Sequence, residues 1–187
     1  ADNNRLARVV NVREDALRVL LVDGYPRYEY RYLKSFLERR PETVELKVVL
    51  LSSDPEYSAQ DEFALPTFPS AREGDQGLFR FDVVILGDVD PSFLSATQMQ
   101  NLADFVTKQG GGLIFVAGQF FNPLTFKGTP LEPLLPIQLD QARDPTTVGQ
   151  GLDAFRMSLT LEGRSSPIFR FGDDEATSLE IWNALPE

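Results

Sequence analysis

Three aspartates follow two apolar segments that are typical of buried strands. Asp23 comes directly after residues 17–22, and Asp88 and Asp90 come after residues 83–86. Carboxylate oxygens are the ligands that hard cations such as Mg²⁺ and Ca²⁺ prefer. If the two strands are neighbours in a sheet, these side chains form a candidate site for a small ligand or a divalent cation.

The two aspartates of the second segment also have simpler interpretations. Asp90 precedes Pro91, a pair that forms turns without any ligand, so Asp90 is expected to cap a short turn while Asp88 is solvated in the loop. Two alternatives stay open. An enzyme that uses carboxylates alone predicts two acids about 5 to 10 Å apart across a cleft. Asp88 also stands where a phospho-acceptor receiver domain, which this arrangement partly resembles, carries its phosphorylated aspartate.

The groups most often used in catalysis are absent, because the 187 residues include no cysteine and no histidine. Thiol nucleophiles, Ser–His and Cys–His pairs and histidine proton transfer are therefore excluded, as are structural zinc sites. The turn where a nucleophile elbow would place Ser or Cys contains only Val116, Ala117, Gly118 and Gln119. The leading interpretation has no catalytic residue, no cofactor and no resident metal.

The elements that would position these residues alternate between strand and helix. Short apolar runs predict strands over residues 17–22, 44–51, 83–86 and 113–117. This order predicts an α/β fold, an open and mostly parallel sheet with helices on both faces. With strand order 2-1-3-4, ligands bind beyond the carboxyl ends of the first and third strands. The candidate ligand-binding residues at that edge are Asp23, Tyr25, Asp88, Asp90 and Gln119.

Two predicted helices connect these strands. A capping box of Ser95 and Gln98 begins one helix, and the glycines at 110–112 end it as a C-cap and tight turn. Those glycines follow a helix, whereas a phosphate-binding loop precedes one. The other helix covers residues 27–40, and its predicted inner face has Tyr30, Leu33, Phe36 and Leu37.

The remaining segments carry weaker signals. Residues 1–16 are expected to be an N-terminal extension or the tail of a preceding domain, and residues 17–187 a single domain. Residues 52–80 form a long loop without a clear period, whose aromatic residues are expected to pack on the sheet or contact a partner. Residues 122–187 are irregular. They contain a predicted short helix at 131–135, strands at 137–139 and 155–161, and a helical or extended tail through Trp182.

The charge of the chain restricts its partners. It has 18 basic and 28 acidic side chains and a formal charge of −10, so nucleic acid is not an expected partner. No apolar run approaches the ~20 residues that span a membrane, so this segment is not expected to insert into one. A local cluster of Arg27, Arg31, Arg39 and Arg40 alternates with glutamates and is expected to be a solvated helix face.

Four tyrosines fall within one short segment, at positions 25, 28, 30 and 32. Alternate residues of a helix cannot all face the core, so one or two of these rings are expected to be exposed. Together with Arg27 and Arg31 they form a candidate aromatic–arginine contact surface. The alternative is that the rings pack on neighbouring loops and their hydroxyls contact water.

Four segments carry a family resemblance: VLLVDGYPRYEYRYLKSFLERR, FDVVILGDVDP, FVTKQGGGLIFVAGQFFNP and TPLEPLLP. Together, across residues 15–161, they resemble the class I glutamine amidotransferase-like domain of large bacterial membrane proteins of the planctomycete type. The resemblance implies a flavodoxin-like sheet and an extracytoplasmic, membrane-anchored setting. Class I amidotransferases use a Cys–His–Glu triad, and the matching elbow here, Val116–Gln119, has no cysteine.

The leading hypothesis is therefore a non-catalytic amidotransferase-like domain. It would act as an interaction or scaffold module of a larger envelope protein, with protein partners or neighbouring domains of the same chain. The alternative hypothesis is a domain that binds a small ligand or a divalent metal through the acidic loops at the carboxyl edge of the sheet.

Overall fold

The computed structural model describes residues 15–70, 72–74, 77–141 and 158–185. The chain divides into two compact units, Ala1–Ala142 and Arg143–Glu187, and each is described by itself. Whether residues 17–187 form one domain stays a prediction, and the expected N-terminal extension at 1–16 lies almost entirely outside the described residues. Within them, no helix has the length and apolarity needed to cross a membrane.

The first unit is an α/β fold built on a parallel, flavodoxin-like open sheet. Its four strands are β1 (Leu17–Asp23), β2 (Val44–Leu50), β3 (Val83–Leu86) and β4 (Gly112–Phe115). The order is β2-β1-β3-β4, and every pair is parallel, so the predicted order is confirmed. Because β1 and β3 are adjacent, the chain reverses its winding direction between them, and their carboxyl ends open at one edge.

Helices cover both faces of this sheet. Helix α1 (Tyr28–Glu38) packs Tyr30, Leu33 and Leu37 on one face, and α3 (Ala96–Thr107) packs Leu102 and Phe105 on the other. The prediction that Phe36 faces the core is wrong, since this side chain is 53% exposed. At 3.6 residues per turn, Phe36 points about 120° away from Tyr30, beyond the side that the sheet covers.

Local signals determine where α3 begins and ends. The Ser95 hydroxyl accepts from the backbone N–H of Gln98, and the Gln98 side chain accepts in return from the backbone N–H of Ser95, which confirms the capping box. Gly110 has a φ of 72°, a conformation that glycine adopts without strain, and it ends the helical segment before β4.

The loop predicted over residues 52–80 contains regular structure. It includes α2 (Pro55–Gln60), a 3₁₀ turn at Leu78–Arg80 and a β-bridge from Val48 to Ala64. Its aromatic and apolar side chains pack on the core, among them Phe63, Leu65 and Phe68. Helix α2 has six residues, too few to show a helical period, so it depends on packing rather than on its sequence pattern.

After β4 the chain forms 3₁₀ turns rather than strands. They are Leu124–Phe126, Glu132–Leu134 and Leu139–Gln141. The short helix predicted at 131–135 is present as the second of these turns. The strand predicted at 137–139 is wrong, because Ile137 is exposed and has no strand to pair with among the described residues.

The second unit is helical in its described part. It contains α4 (Leu161–Ser165), a 3₁₀ turn at Pro167–Phe169 and α5 (Glu175–Asn183). Residues 155–157 of the predicted edge strand lie outside the described residues, and its last residue begins α4 instead. The hydroxyl of Thr160 caps that helix, which outweighs the alternating pattern. The tail through Trp182 is helical.

Candidate functional site

The carboxylate of Asp88, just beyond β3, is completely buried and accepts four hydrogen bonds. The Tyr25 hydroxyl donates to it at 2.9 Å. Three consecutive backbone N–H groups of the segment after β4 donate to it as well, from Phe120 at 3.0 Å, Phe121 at 2.7 Å and Asn122 at 2.9 Å. The prediction that Asp88 is solvated is therefore wrong, and its side chain holds the loop after β4 against the end of β3.

Asp23, at the end of β1, is also buried, with 1% of its surface exposed. It accepts from the Arg27 Nε at 2.8 Å and from the backbone N–H groups of Gly24 at 2.8 Å and Asp88 at 3.2 Å. The same arginine donates to the backbone carbonyls of Ala117 at 2.9 Å and Val116 at 3.2 Å. Arg27 therefore joins the end of β1 to the turn after β4.

Three glycines allow these groups to lie so close together. A Cβ on Gly118 would lie 1.9 Å from Asp88 Cγ, and a Cβ on Gly87 would lie 2.1 Å from Asp23 Oδ2. A Cβ on Gly24 would meet the Asp88 carbonyl oxygen at 2.4 Å. None of these positions has room for a Cβ atom. The two aspartates can therefore occupy their buried positions only while these three residues are glycines.

The two carboxylates have pKa values displaced in opposite directions. Burial favours protonation of Asp88, but the N–H groups of Asn122, Phe120 and Phe121 outweigh it and hold the pKa of that carboxyl below its usual range. Burial of Asp23 outweighs its Arg27 partner and raises the pKa of Asp23. Burial, with the Asp88 carboxylate next in effect, raises the pKa of Tyr25 to about 12, so its hydroxyl stays a donor.

Acid is expected to weaken the fold through Asp88. Its folded-state pKa lies below the ordinary value of 3.8, so its stabilising effect is complete about one unit above that value and is lost as the pH falls through the folded-state pKa. The difference in unfolding free energy between wild type and Asp88→Asn should therefore be constant above about pH 5 and shrink below it. Asp23 has the opposite sign, since its raised pKa favours the folded state as pH falls towards 3.8. Urea unfolding of both proteins along a pH series measures this difference, and a pH-independent difference would contradict it.

Asp90 does not join this cluster. It is half-buried, and its Oδ1 accepts from the backbone N–H of Ser92 at 2.8 Å, which confirms that it caps the 3₁₀ turn Pro91–Phe93. Among the described residues, no group of three acidic, His or Cys side chains is placed to hold a metal ion. The predicted convergence of Asp23, Asp88 and Asp90 on one cation is therefore wrong. A buried Asp88 with both oxygens occupied is also unlike a phospho-acceptor, which must be reached by its phosphate donor.

Tyr25 and Gln119 do come together. They line an open groove of about 560 Å³ at the carboxyl edge of the sheet, with Arg27, Gly118 and Phe120. The Tyr25 and Phe120 rings lie 5.7 Å apart at one side of it. The Tyr25 hydroxyl and the Arg27 guanidinium bond to the chain itself, whereas Arg31, which also lines the groove, has no ion-pair partner among the described residues.

The turn predicted to be a degenerate nucleophile elbow, Val116–Gln119, has no group that could act as a nucleophile. Val116, Ala117 and Gly118 supply only backbone and apolar atoms, and the Gln119 amide is not a nucleophile at neutral pH. The backbone N–H groups of residues 120–122, of the kind that stabilise an oxyanion in a working site, all donate to Asp88. The site is filled by the protein's own carboxylate.

A second feature lies on the outside of α1. The rings of Tyr28, Tyr32 and Phe36 are 75%, 72% and 53% exposed and follow one another at intervals of four residues. With four neighbours they line an open depression of about 840 Å³. We call this surface the α1 outer face; its residues are Tyr28, Arg31, Tyr32, Ser35, Phe36, Arg39 and Arg40.

Part of this surface is predictable from the sequence. One or two tyrosines were expected to be exposed, which Tyr28 and Tyr32 confirm, while Tyr30 is buried and bonds to the Tyr57 hydroxyl at 2.9 Å. Phe36 was not expected there, although the four-residue spacing from Tyr28 through Tyr32 was a usable signal. The role of Arg27 was not predicted, and no local pattern indicated it, because Asp23 ends a strand and Arg27 precedes a helix.

Comparison of the chain with protein-family models, with curated proteins and with solved structures found no match. The resemblance to the amidotransferase-like domain therefore stays a prediction from the sequence, and the function is inferred from the geometry.

Proposed function

We propose that this protein is a non-catalytic interaction module of amidotransferase-like architecture, which contacts a protein partner through the α1 outer face. The observation that carries this proposal is the row of three exposed aromatic rings at Tyr28, Tyr32 and Phe36. Tyrosine, phenylalanine and arginine are enriched where proteins bind one another, and contiguous exposed apolar surface is uncommon elsewhere.

The carboxyl edge of the sheet supports the non-catalytic part of the proposal. An acyl-transfer site needs a nucleophile, a base and free oxyanion donors. The elbow residues provide no nucleophile, the sequence has no histidine, and Asp88 occupies three consecutive N–H donors. The nucleophile, the histidine base and the free N–H donors are therefore each missing, which supports a non-catalytic role.

Replacement of the exposed rings should remove binding without weakening the fold. In the variant Tyr28→Ser/Tyr32→Ser we expect the unfolding free energy to change by less than about 1 kcal/mol, because both side chains already contact water. A photo-activatable benzoylphenylalanine placed at Tyr32 should crosslink one recurrent protein in cells that make the full-length protein. The same crosslinker at Gln109, exposed after α3, is the matched control.

Two results would contradict the proposal. One is an equal crosslinking pattern at Tyr32 and Gln109, which would show that the α1 outer face binds nothing specific. The other is release of ammonia from glutamine by the purified protein, which would show that it is catalytic.

A further inference from the structure

We infer that the segment bound by the α1 outer face is an acidic peptide with apolar side chains, contributed by a partner protein; this inference rests on the proposed function. The observation that carries it is an uncompensated positive charge beside the aromatic row. Three of the seven residues of this face are arginines and none is acidic. The chain as a whole has a formal charge of −10, so such a face is an exception to its surroundings.

The acids of α1 do not neutralise this face, because they bond to other cations. Glu29 pairs with Arg27 at 3.6 Å, and Glu38 pairs with Lys34, which also bonds to Asp61 at 3.0 Å. The arginines of this face are exposed, as the prediction of a solvated helix face requires, but the glutamates of the same helix do not pair with them.

The outer arginines keep their charge available. Within the described part of the chain, neither Arg31 nor Arg39 has an ion-pair partner. The Arg40 guanidinium lies over the Phe36 ring, 4.4 Å from its centre, a contact that leaves its outward N–H groups able to bind a carboxylate.

The spacing of these groups describes what fits them. Tyr28, Tyr32 and Phe36 form a row that runs about 12 Å along the helix axis, at 1.5 Å per residue. Arg31, Ser35 and Arg39 form a second row of the same length beside it. A partner segment that lays apolar side chains on the first row and carboxylates on the second satisfies both, as an amphipathic helix in a groove does.

An acidic peptide fits this face better than nucleic acid does. A short run of carboxylates touches only the arginine row, where planar guanidinium groups bind carboxylates with two parallel hydrogen bonds. A long polyanion would extend past the two helical turns of this face and meet the net negative charge of the rest of the protein.

The test uses a fluorescein-labelled synthetic peptide that combines Glu with Leu and Phe, titrated with the protein and followed by fluorescence anisotropy. We expect saturable binding that weakens as salt rises from about 0.05 to about 0.5 M, because exposed charges are screened over these concentrations. Arg31→Glu/Arg39→Glu should weaken it by about tenfold or more, because two attractions become two repulsions. Tyr32→Ser/Phe36→Ser should also weaken it, but without removing the salt dependence.

The matched control is Arg164→Glu/Arg170→Glu in the second unit, which makes the same change in net charge at two other exposed arginines. It should leave the affinity within about twofold if local rather than net charge matters. Circular dichroism melts of all variants should match wild type, so that lost binding is not lost folding.

Other outcomes overturn the inference. Equal binding of a peptide with Gln in place of Glu would show that the negative charge of the peptide is not needed. Tighter binding of oligothymidine would show that the ligand of this face is nucleic acid rather than a peptide. A concentration-dependent dimer that Phe36→Ser abolishes would show that the ligand of this face is a second copy of the chain.

If no acidic peptide binds while the Tyr32 crosslink persists, the inference about the acidic peptide fails and the proposed interaction module stands. If the crosslink is also absent, both fail.

Discussion

Asp88→Asn is expected to destabilise the first unit by about 3 kcal/mol, equivalent to roughly 6 to 12 °C in Tm. The amide keeps the shape of the side chain but replaces one acceptor oxygen with an NH₂ group. The Tyr25 hydroxyl can reverse and accept from that group, but the Phe120 N–H, which donates to the same oxygen, cannot. The Phe120 N–H then faces the new NH₂ group and has no acceptor. The negative charge that strengthened the hydrogen bonds from Phe121 and Asn122 is also lost.

The measurement is urea unfolding followed by far-ultraviolet circular dichroism. Trp182, the single tryptophan, belongs to the second unit, so its fluorescence does not report directly on the sheet. Asp90→Asn is the control, because Asp90 accepts one turn hydrogen bond at a half-exposed position, and it should cost less than about 1 kcal/mol. Equal effects of the two variants would show that Asp88 does not hold the loop after β4.

Gly118→Ala is the second large effect, with an expected loss of about 3 kcal/mol from steric crowding. The added methyl would lie 1.9 Å from Asp88 Cγ and 2.2 Å from Asp88 Cβ, a separation that no rotamer of a fully bonded side chain relieves. Either the turn after β4 or the Asp88 carboxylate must move. We therefore expect faster amide hydrogen exchange at Phe120, Phe121 and Asn122, whose N–H groups lose their acceptor.

Gly128→Ala separates this steric effect from a conformational one. Gly128 has a φ of 76° and no atom within 4 Å of an added Cβ, so its substitution costs only the left-handed backbone, about 1 kcal/mol. Exchange at residues 120–122 should stay as in wild type. Protection of these amides in Gly118→Ala equal to that in wild type would show that the contact with Asp88 is not needed.

The buried carboxylate of Asp88 uses N–H groups that lie at the carboxyl edge of the sheet. In open parallel sheets the loops at the carboxyl edge commonly present N–H groups to a bound molecule. Here the Asp88 carboxylate accepts hydrogen bonds from these N–H groups. The Arg27 guanidinium donates to Asp23 and to the backbone carbonyls of Val116 and Ala117. These bonds join β1, β3 and β4 at this edge of the sheet.

The sequence alone located the four strands and the start of α3. Apolar runs mark strands, and the Ser95–Gln98 pair marks a helix start, because both signals act within a few residues. The lateral order of the strands was assumed and is supplied by the structure. The absence of cysteine and histidine also needs no structure to exclude whole classes of chemistry. The candidate edge residues followed from the strand order, and four of the five, Asp23, Tyr25, Asp88 and Gln119, do lie at or beneath that edge.

What those residues do depends on contacts between distant parts of the chain. Asp88 and its three N–H donors are separated by 32 to 34 positions in the chain, so no local pattern could show that they meet. The same holds for α2, whose six residues need the sheet to support them. The N–H donors that surround Asp88 keep its buried carboxylate ionised, and only the folded chain brings those donors together.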